Sequence, residues 1–192
     1  VLKGSDMIQE RYLDKHFWYS VQGFFQNNHV VAEKMQDYCR TLFQKYAVSS
    51  AHLLDLYGGV GTFGIINANL FKSVTVVESV PSCITAAKRN VVENGTKNVN
   101  CVLLDARNIR KLNFPSPLYV ITDPPRSGMD PKTIQQLMVL KPKVMVYISC
   151  HVQQLAKDLL KLKQYSVRSA ALFDLFPQTN HSEAVVELVL KE

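Results

Sequence analysis

Asp55-Leu56-Tyr57-Gly58-Gly59-Val60-Gly61-Thr62-Phe63-Gly64 decides the architecture of this 192-residue chain. The apolar run 52–57 entering this stretch reads as a short buried strand, and residues 62–71 leaving it read as a helix. Glycines between them let the backbone turn sharply and approach a ligand closely. A strand, a glycine-rich turn and a helix form the first unit of an open α/β sheet, and such sheets bind ligands at the carboxyl ends of their strands.

Working outward, apolar runs recur at 74–77, 99–104, 118–122 and 144–149, with helix candidates at 81–94, 131–140 and 152–162. Alternation of this kind predicts an α/β fold with a mostly parallel sheet covered by helices on both faces. Two further strands are expected at 167–173 and 184–190. About ten residues separate them, too few for a helical crossover, so they should close the sheet as a C-terminal antiparallel hairpin. The start of the chain reads differently: Gly23-Phe24-Phe25-Gln26-Asn27-Asn28 is turn-like, and apolar positions three and four apart over 30–46 predict a helix. One domain is expected over 1–192, with 1–50 as an N-terminal lead-in and helix and 51–192 as the α/β core.

Composition narrows the class. Apolar residues make up 47% and charged residues 20%, which excludes a disordered, collagen-like or coiled-coil chain. No apolar run is long enough for a membrane span, and the first residues have no apolar signal core. The chain starts at Val1 rather than Met, as a piece of a longer protein would. Cys39, Cys83, Cys101 and Cys150 form no C-x-x-C pair, which argues against a zinc site or disulfide framework and for a reducing cytoplasmic setting. The net charge is +6, and the Lys and Arg residues between Arg126 and Arg168 outnumber Asp130 and Asp158 by the same margin. A basic stripe suits nucleic acid, although a solvated helix face has the same look.

Candidate chemistry collects at the strand ends. Glu78 ends the second core strand about 20 residues after the glycine turn, where an acidic side chain accepts hydrogen bonds from ribose hydroxyls. No Gly-Lys-Ser/Thr follows the turn, and Asp55 would repel a pyrophosphate, so an adenosyl cofactor with a cationic centre fits better than a dinucleotide. Asp123-Pro124-Pro125-Arg126-Ser127-Gly128 follows the fourth strand; its prolines stiffen the exit, Asp123 could contact cofactor or base, and Arg126 a phosphate. Cys39, Cys83 and Cys101 read as inert small hydrophobes. Cys150 differs, because it sits where the fifth strand gives way to a helix whose N-terminal amides would lower a thiol's pKa. His181 and Glu183, on the segment joining the last two strands, are possible bases over the same edge; otherwise His181 orders the loop and Glu183 simply precedes a strand.

Taken together these residues resemble the RNA uracil-5-methyltransferase family, which makes 5-methyluridine in transfer or ribosomal RNA from S-adenosylmethionine. The resemblance runs from about Leu2 to the end. It rests on Phe24-Phe25-Gln26-x-Asn28, Asp55-Leu56-Tyr57-x-Gly59-x-Gly61-x-Phe63, Val77-Glu78, Asp123-Pro124-Pro125-Arg126-x-Gly128, Tyr147-Ile148-Ser149-Cys150 and Phe173-Asp174-Leu175-Phe176-Pro177-Gln178-Thr179-x-His181-x-Glu183. It implies a Rossmann-like S-adenosylmethionine-dependent methyltransferase fold, with Gln26, Tyr57, Gly59, Thr62, Glu78, Asp105 and Asp123 at the cofactor. By the same resemblance Cys150 is the nucleophile, Glu183 the general base, and Phe25, Arg126 and His181 meet the RNA. Phe25 is the aromatic expected to stack on an extruded base. The partner implied is RNA, with no metal, no membrane and a monomeric chain.

Where the chain departs from the family, it lacks the N-terminal RNA-binding barrel and the iron–sulfur cysteines of some members. His151 stands where relatives generally have Asn, and Gly58 where many have Cys. Two other readings compete. One is a methyltransferase for another base, which the Arg after Asp-Pro-Pro and the absence of Cys from that motif disfavour. The other is a non-catalytic RNA- or cofactor-binding domain of a larger assembly, which would need neither Cys150 nor Glu183.

Overall fold

The computed structural model describes residues 6–191. After a two-stranded antiparallel hairpin, β1 (Met7–Tyr12) and β2 (Lys15–Ser20), comes helix α1 (His29–Gln44). The core then runs β3 (His52–Leu56), α2 (Thr62–Asn67), β4 (Ser73–Glu78), α3 (Pro81–Glu93), β5 (Val99–Leu103), β6 (Leu118–Thr122), α4 (Pro131–Leu140), β7 (Val144–Ser149) and α5 (Val152–Leu159). It closes with β8 (Tyr165–Phe173) and β9 (Glu183–Leu190). Short 3-10 turns occupy Ala68–Leu70 and Ala106–Lys111.

Among the described residues the sheet has seven strands, in the order β5-β4-β3-β6-β7-β9-β8. The first five are parallel, and β9 enters antiparallel between β7 and β8. Strand order reverses between β3 and β6, so the loops leaving these two strands open a crevice at the carboxyl edge. The sequence expectation of a mostly parallel sheet with an antiparallel C-terminal hairpin therefore matches the fold. The central strands are buried along their whole length, as β3, β6 and β7 show, because helices cover both faces. One apolar layer joins α1, α2 and one sheet face through Met35, Phe43, Leu53, Ile65 and Val146; the other joins Leu54, Val120, Ile134, Leu137 and Leu155.

Two expectations need adjusting. The helix expected over 62–71 stops at Asn67, whose side-chain amide donates to the Phe63 carbonyl at 2.8 Å before the chain tightens into the 3-10 turn. The lead-in is more than a loop and a helix. Its hairpin sends Tyr12 and Phe17 into the same buried cluster as Leu53 and Val74. Its outer strand β2 docks on α3, where Asn90 and Asn94 bond the backbone N–H and C=O of Trp18 and His16. Among the described residues no helix is long and apolar enough to cross a membrane.

Candidate active site

The turn after β3 carries three residues in the left-handed region, Tyr57 (φ 61), Gly59 (φ 54) and Gly61 (φ 86). A Cβ built on Gly59 meets nothing within 4 Å, so the backbone there borders open space. A Cβ on Gly58 would meet Val76 Cγ1 at 2.5 Å, so the turn lies flat against β4. Glu78, at the end of β4, holds the turn. One carboxylate oxygen accepts from Gly59 N at 3.1 Å, and the other accepts from Ser79 N and Val80 N at 2.6 and 2.8 Å. Asp55 does not face the ligand, contrary to the argument that it would repel a pyrophosphate. It is buried under the turn and accepts from Gly64 N at 2.8 Å, and burial pushes its carboxyl up to about 7.

Beside this turn lies a cavity of about 610 Å³ lined by residues from every part of the chain, Phe24, Gln26, Gln36, Tyr57, Glu78, Asp123, Arg126, Cys150 and Glu183 among them. That volume is in the range of small-molecule sites. The cavity brings together Phe25, Gln26, Tyr57, Gly59, Thr62, Glu78, Asp123, Arg126, Cys150 and Glu183, all singled out in the sequence. Asp105 lies next door, in a second recess that shares Tyr57, Ser79 and Pro125 with the first. It is bound to Arg107 at 2.6 Å, which holds its carboxyl down at about 2. His181 stands outside the cavity and accepts from the Arg126 guanidinium at 3.0 Å.

Among the described residues, three buried acceptors on side chains that line the cavity have no donor: Gln26 Oε1, Gln36 Oε1 and Glu183 Oε2. Buried acceptors of this kind are costly unless a ligand supplies the protons. Asp123, Glu183 and Glu78 make the same space acidic inside a chain of net charge +6. A cationic ligand rich in N–H and O–H donors fits this set; a nucleoside phosphate does not.

Cys150 follows β7, and Glu183 opens the neighbouring β9, so strand pairing places both at one edge. Glu183 is 4% exposed, and burial raises its carboxyl to about 7 against the pull of Arg126. Asp123 is pushed well above its ordinary value by burial and by the carboxylates of Glu183 and Asp55. The expected lowering of the Cys150 thiol is not what its surroundings supply. Burial, then Glu183 and Asp123, raise it, and only Arg126 among the neighbouring side chains opposes them.

Phe25 is 9% exposed and stacks on Tyr12 and Tyr19, with ring centroids 5.0 and 4.2 Å away. The ring with a free face at the cavity is its neighbour Phe24, 72% exposed. Gln36 also went unnoticed in the sequence, although a glutamine inside the apolar stripe Ala32-Met35-Cys39 of α1 is a visible signal.

Strand order, a glycine turn at the point where it reverses, and a cavity across that point define a Rossmann-like fold of the S-adenosylmethionine-dependent methyltransferases. A tRNA (uracil-5-)-methyltransferase family model matches residues 3–191, and the chain belongs to that family. It is 37% identical to an uncharacterized RNA methyltransferase of Streptococcus mutans, covering 100% of this chain and 42% of the relative. It is 32% identical to a 23S rRNA (uracil(747)-C(5))-methyltransferase of Escherichia fergusonii, covering 95% of this chain and 48% of that protein. The chain thus spans less than half the length of these relatives. Among solved structures, a Pyrococcus abyssi tRNA (uracil-54, C5)-methyltransferase in complex with S-adenosyl-L-homocysteine superposes with TM-score 0.85 at 33% identity, over 97% of this chain and 45% of that one. An rRNA methylase of Streptococcus thermophilus, 14% identical with TM-score 0.66 over 81% of this chain and 95% of that one, shares the fold alone.

Proposed function

We propose that this chain is the catalytic part of an enzyme that methylates carbon 5 of a uridine in RNA, with S-adenosylmethionine as methyl donor and Cys150 as covalent nucleophile. One observation carries the reading: Cys150, Asp123, Arg126 and the unpartnered buried carboxylate of Glu183 face one cavity beside the glycine turn.

The cofactor fits the donor-hungry, acidic lining. Gln26, Gln36 and Asp123 suit its cationic end, Glu78 its ribose, and Thr62 and the Gly59 backbone line the path between. The recess at Asp105 suits the adenine. When bound, the cofactor supplies an electrophilic methyl group and a positive charge.

The chain's own residues do the rest. An extruded base, at a cost of a few kcal/mol, finds the free face of Phe24 to stack on. Cys150 Sγ, as thiolate, forms a bond to carbon 6 of the uracil, and the electron pair of the C5=C6 bond moves towards O4. Carbon 5 of that enolate is nucleophilic: as O4 returns its electron pair to the carbonyl, carbon 5 would bond the methyl group, whose bond to the sulfonium sulfur would break with its pair left on the sulfur, so that S-adenosylhomocysteine leaves. Glu183 then takes the proton from carbon 5, the C–H electrons restore C5=C6, and the Cys150–carbon 6 bond breaks. Arg126 is placed to stabilise the thiolate, since among the neighbouring side chains it is the one that favours the charged form, alongside a backbone hydrogen bond at Cys150.

The test uses transcribed transfer and ribosomal RNA containing 5-fluorouridine, mixed with the protein and S-adenosylmethionine. Fluorine cannot leave as a proton, so elimination stalls and a denaturation-stable adduct accumulates on Cys150. Cys150→Ala should form none while binding S-adenosylhomocysteine as tightly as wild type. Full turnover by that variant would overturn the mechanism.

A further inference from the structure

A second concave surface lies beyond the recess at Asp105, between the Ala106–Lys111 turn and α4. It encloses about 400 Å³ and is lined by Arg107, Arg110, Lys111 and Lys132 with the amides of Asn108, Gln135 and Gln136; among the described residues no acidic side chain lines it. Arg107 is engaged by Asp105. Arg110, Lys111 and Lys132 are exposed, and among the described residues no ion pair involves them. The shape is pre-formed. Gln136 is 8% exposed, its amide donates to the Arg107 carbonyl, and its oxygen accepts from Arg110 N at 2.9 Å, which pins the turn to the helix.

Lys132 feels the charge of Asp105, but Arg110, Lys111 and Lys132 line one groove with no ion pair of their own among the described residues, so their mutual repulsion favours a polyanionic partner. The side-chain amides of Asn108 and Gln135 in the same lining suit a partner that also offers hydroxyl groups. Arg107 lines both this groove and the recess at Asp105, which in turn shares Tyr57, Ser79 and Pro125 with the cavity of Cys150. We infer that this groove is a docking track for the sugar–phosphate backbone of the RNA whose base enters the cavity. The inference rests on the RNA-methylating reading above and adds a surface to it.

The experiment compares wild type with the triple variant Arg110→Gln, Lys111→Gln, Lys132→Gln, and with Lys72→Gln, Lys97→Gln, Lys143→Gln. The control lysines are exposed and precede β4, β5 and β7, at the opposite edge of the sheet. Binding of a fluorescein-labelled, uridine-containing RNA is read over a series of KCl concentrations, and S-adenosylhomocysteine binding is read in parallel. The groove variant should bind RNA about tenfold or more weakly at moderate salt, and its log Kd–log salt slope should shrink by about 2, from three lost phosphate contacts. Cofactor affinity should not move.

Equal weakening in both variants would reduce the effect to net charge and overturn the track. So would an unchanged slope in the groove variant, or displacement of RNA by poly-glutamate at matched charge, which would make the groove a site for acidic protein. Wild type that binds S-adenosylhomocysteine and no RNA would sink the track while sparing the cofactor site. Wild type that binds RNA through the groove but forms no adduct with 5-fluorouridine RNA would sink the catalytic reading instead.

Discussion

In the mechanism proposed above, Glu183 and Cys150 meet opposite requirements at the level of single side chains. A general base for the carbon-5 proton works best with a pKa near the operating pH, and burial has brought Glu183 up to about 7. A nucleophilic thiol needs the reverse, and burial beside Glu183 and Asp123 has moved Cys150 above its ordinary value. Both active forms are deprotonated, so kcat/KM should climb as pH rises through 7 and keep climbing into the alkaline range, as initial rates across a pH series would show. Glu183→Gln should cut turnover by about 10²–10⁴. It should also let the covalent Cys150 adduct accumulate on ordinary uridine RNA, visible on a denaturing gel; full turnover would exclude Glu183 as base. Arg126→Gln should shift the alkylation of Cys150 by iodoacetamide to higher pH, because the opposing positive charge is gone.

At the scale of elements, two devices hold the site together. Asn90 on α3 and Asn94, which caps the C-terminus of that helix, sit about one turn apart, a rise of about 6 Å, close to the roughly 6.7 Å between alternate residues of a strand. Their amides therefore bond Trp18 and His16 as a neighbouring strand would. The docked hairpin supplies Tyr12 and Tyr19, on which Phe25 stacks, and so sets Phe24 and Gln26 at the cavity. Asn90→Ala with Asn94→Ala should cost about 2–4 kcal/mol in urea unfolding and weaken S-adenosylhomocysteine binding through Gln26. The second device is Asp158 on α5, fully buried, which accepts from Met129 N at 2.9 Å and the Tyr147 hydroxyl at 2.7 Å. It ties the loop bearing Asp123 and Arg126 to the strand that leads into Cys150. Asp158→Ala should cost about 2–4 kcal/mol and lower kcat, whereas Asp158→Asn, which keeps an acceptor, should lose less of both.

For the whole molecule, charge is sorted by depth: a basic exterior surrounds an acidic centre of Asp55, Asp123 and Glu183. Asp55 and Glu183 carry folded-state values of about 7, above the unfolded values near 4. Between those limits the folded state holds more protons than the unfolded one, so their contribution is fully present below about pH 4 and is lost as pH rises through 7. Asp105, held down at about 2, has finished titrating below that window. Thermal unfolding from pH 5 to 8 should therefore show Tm declining in wild type and declining less in Asp55→Asn. A parallel decline in both would remove Asp55 from the account.

The sequence by itself determined the order of strands and helices and the residues at their carboxyl ends. These are local properties: apolar runs of strand length, glycines at a turn, prolines that stiffen an exit. Residues 7–20 resisted such a reading, because a hairpin with only Tyr12 and Phe17 fully buried has little alternation to show. Gln36, Phe24 and Asp158 resisted it too, because each is defined by partners far along the chain. Tertiary structure alone decided where β9 inserts, which brings Glu183 beside Cys150, and which aromatic keeps a free face. It also decided that the thiol lies among carboxylates, against the inference from its place before a helix. Acidity depends on burial and on charges within a few ångströms, and those distances are set by packing rather than by neighbours in sequence.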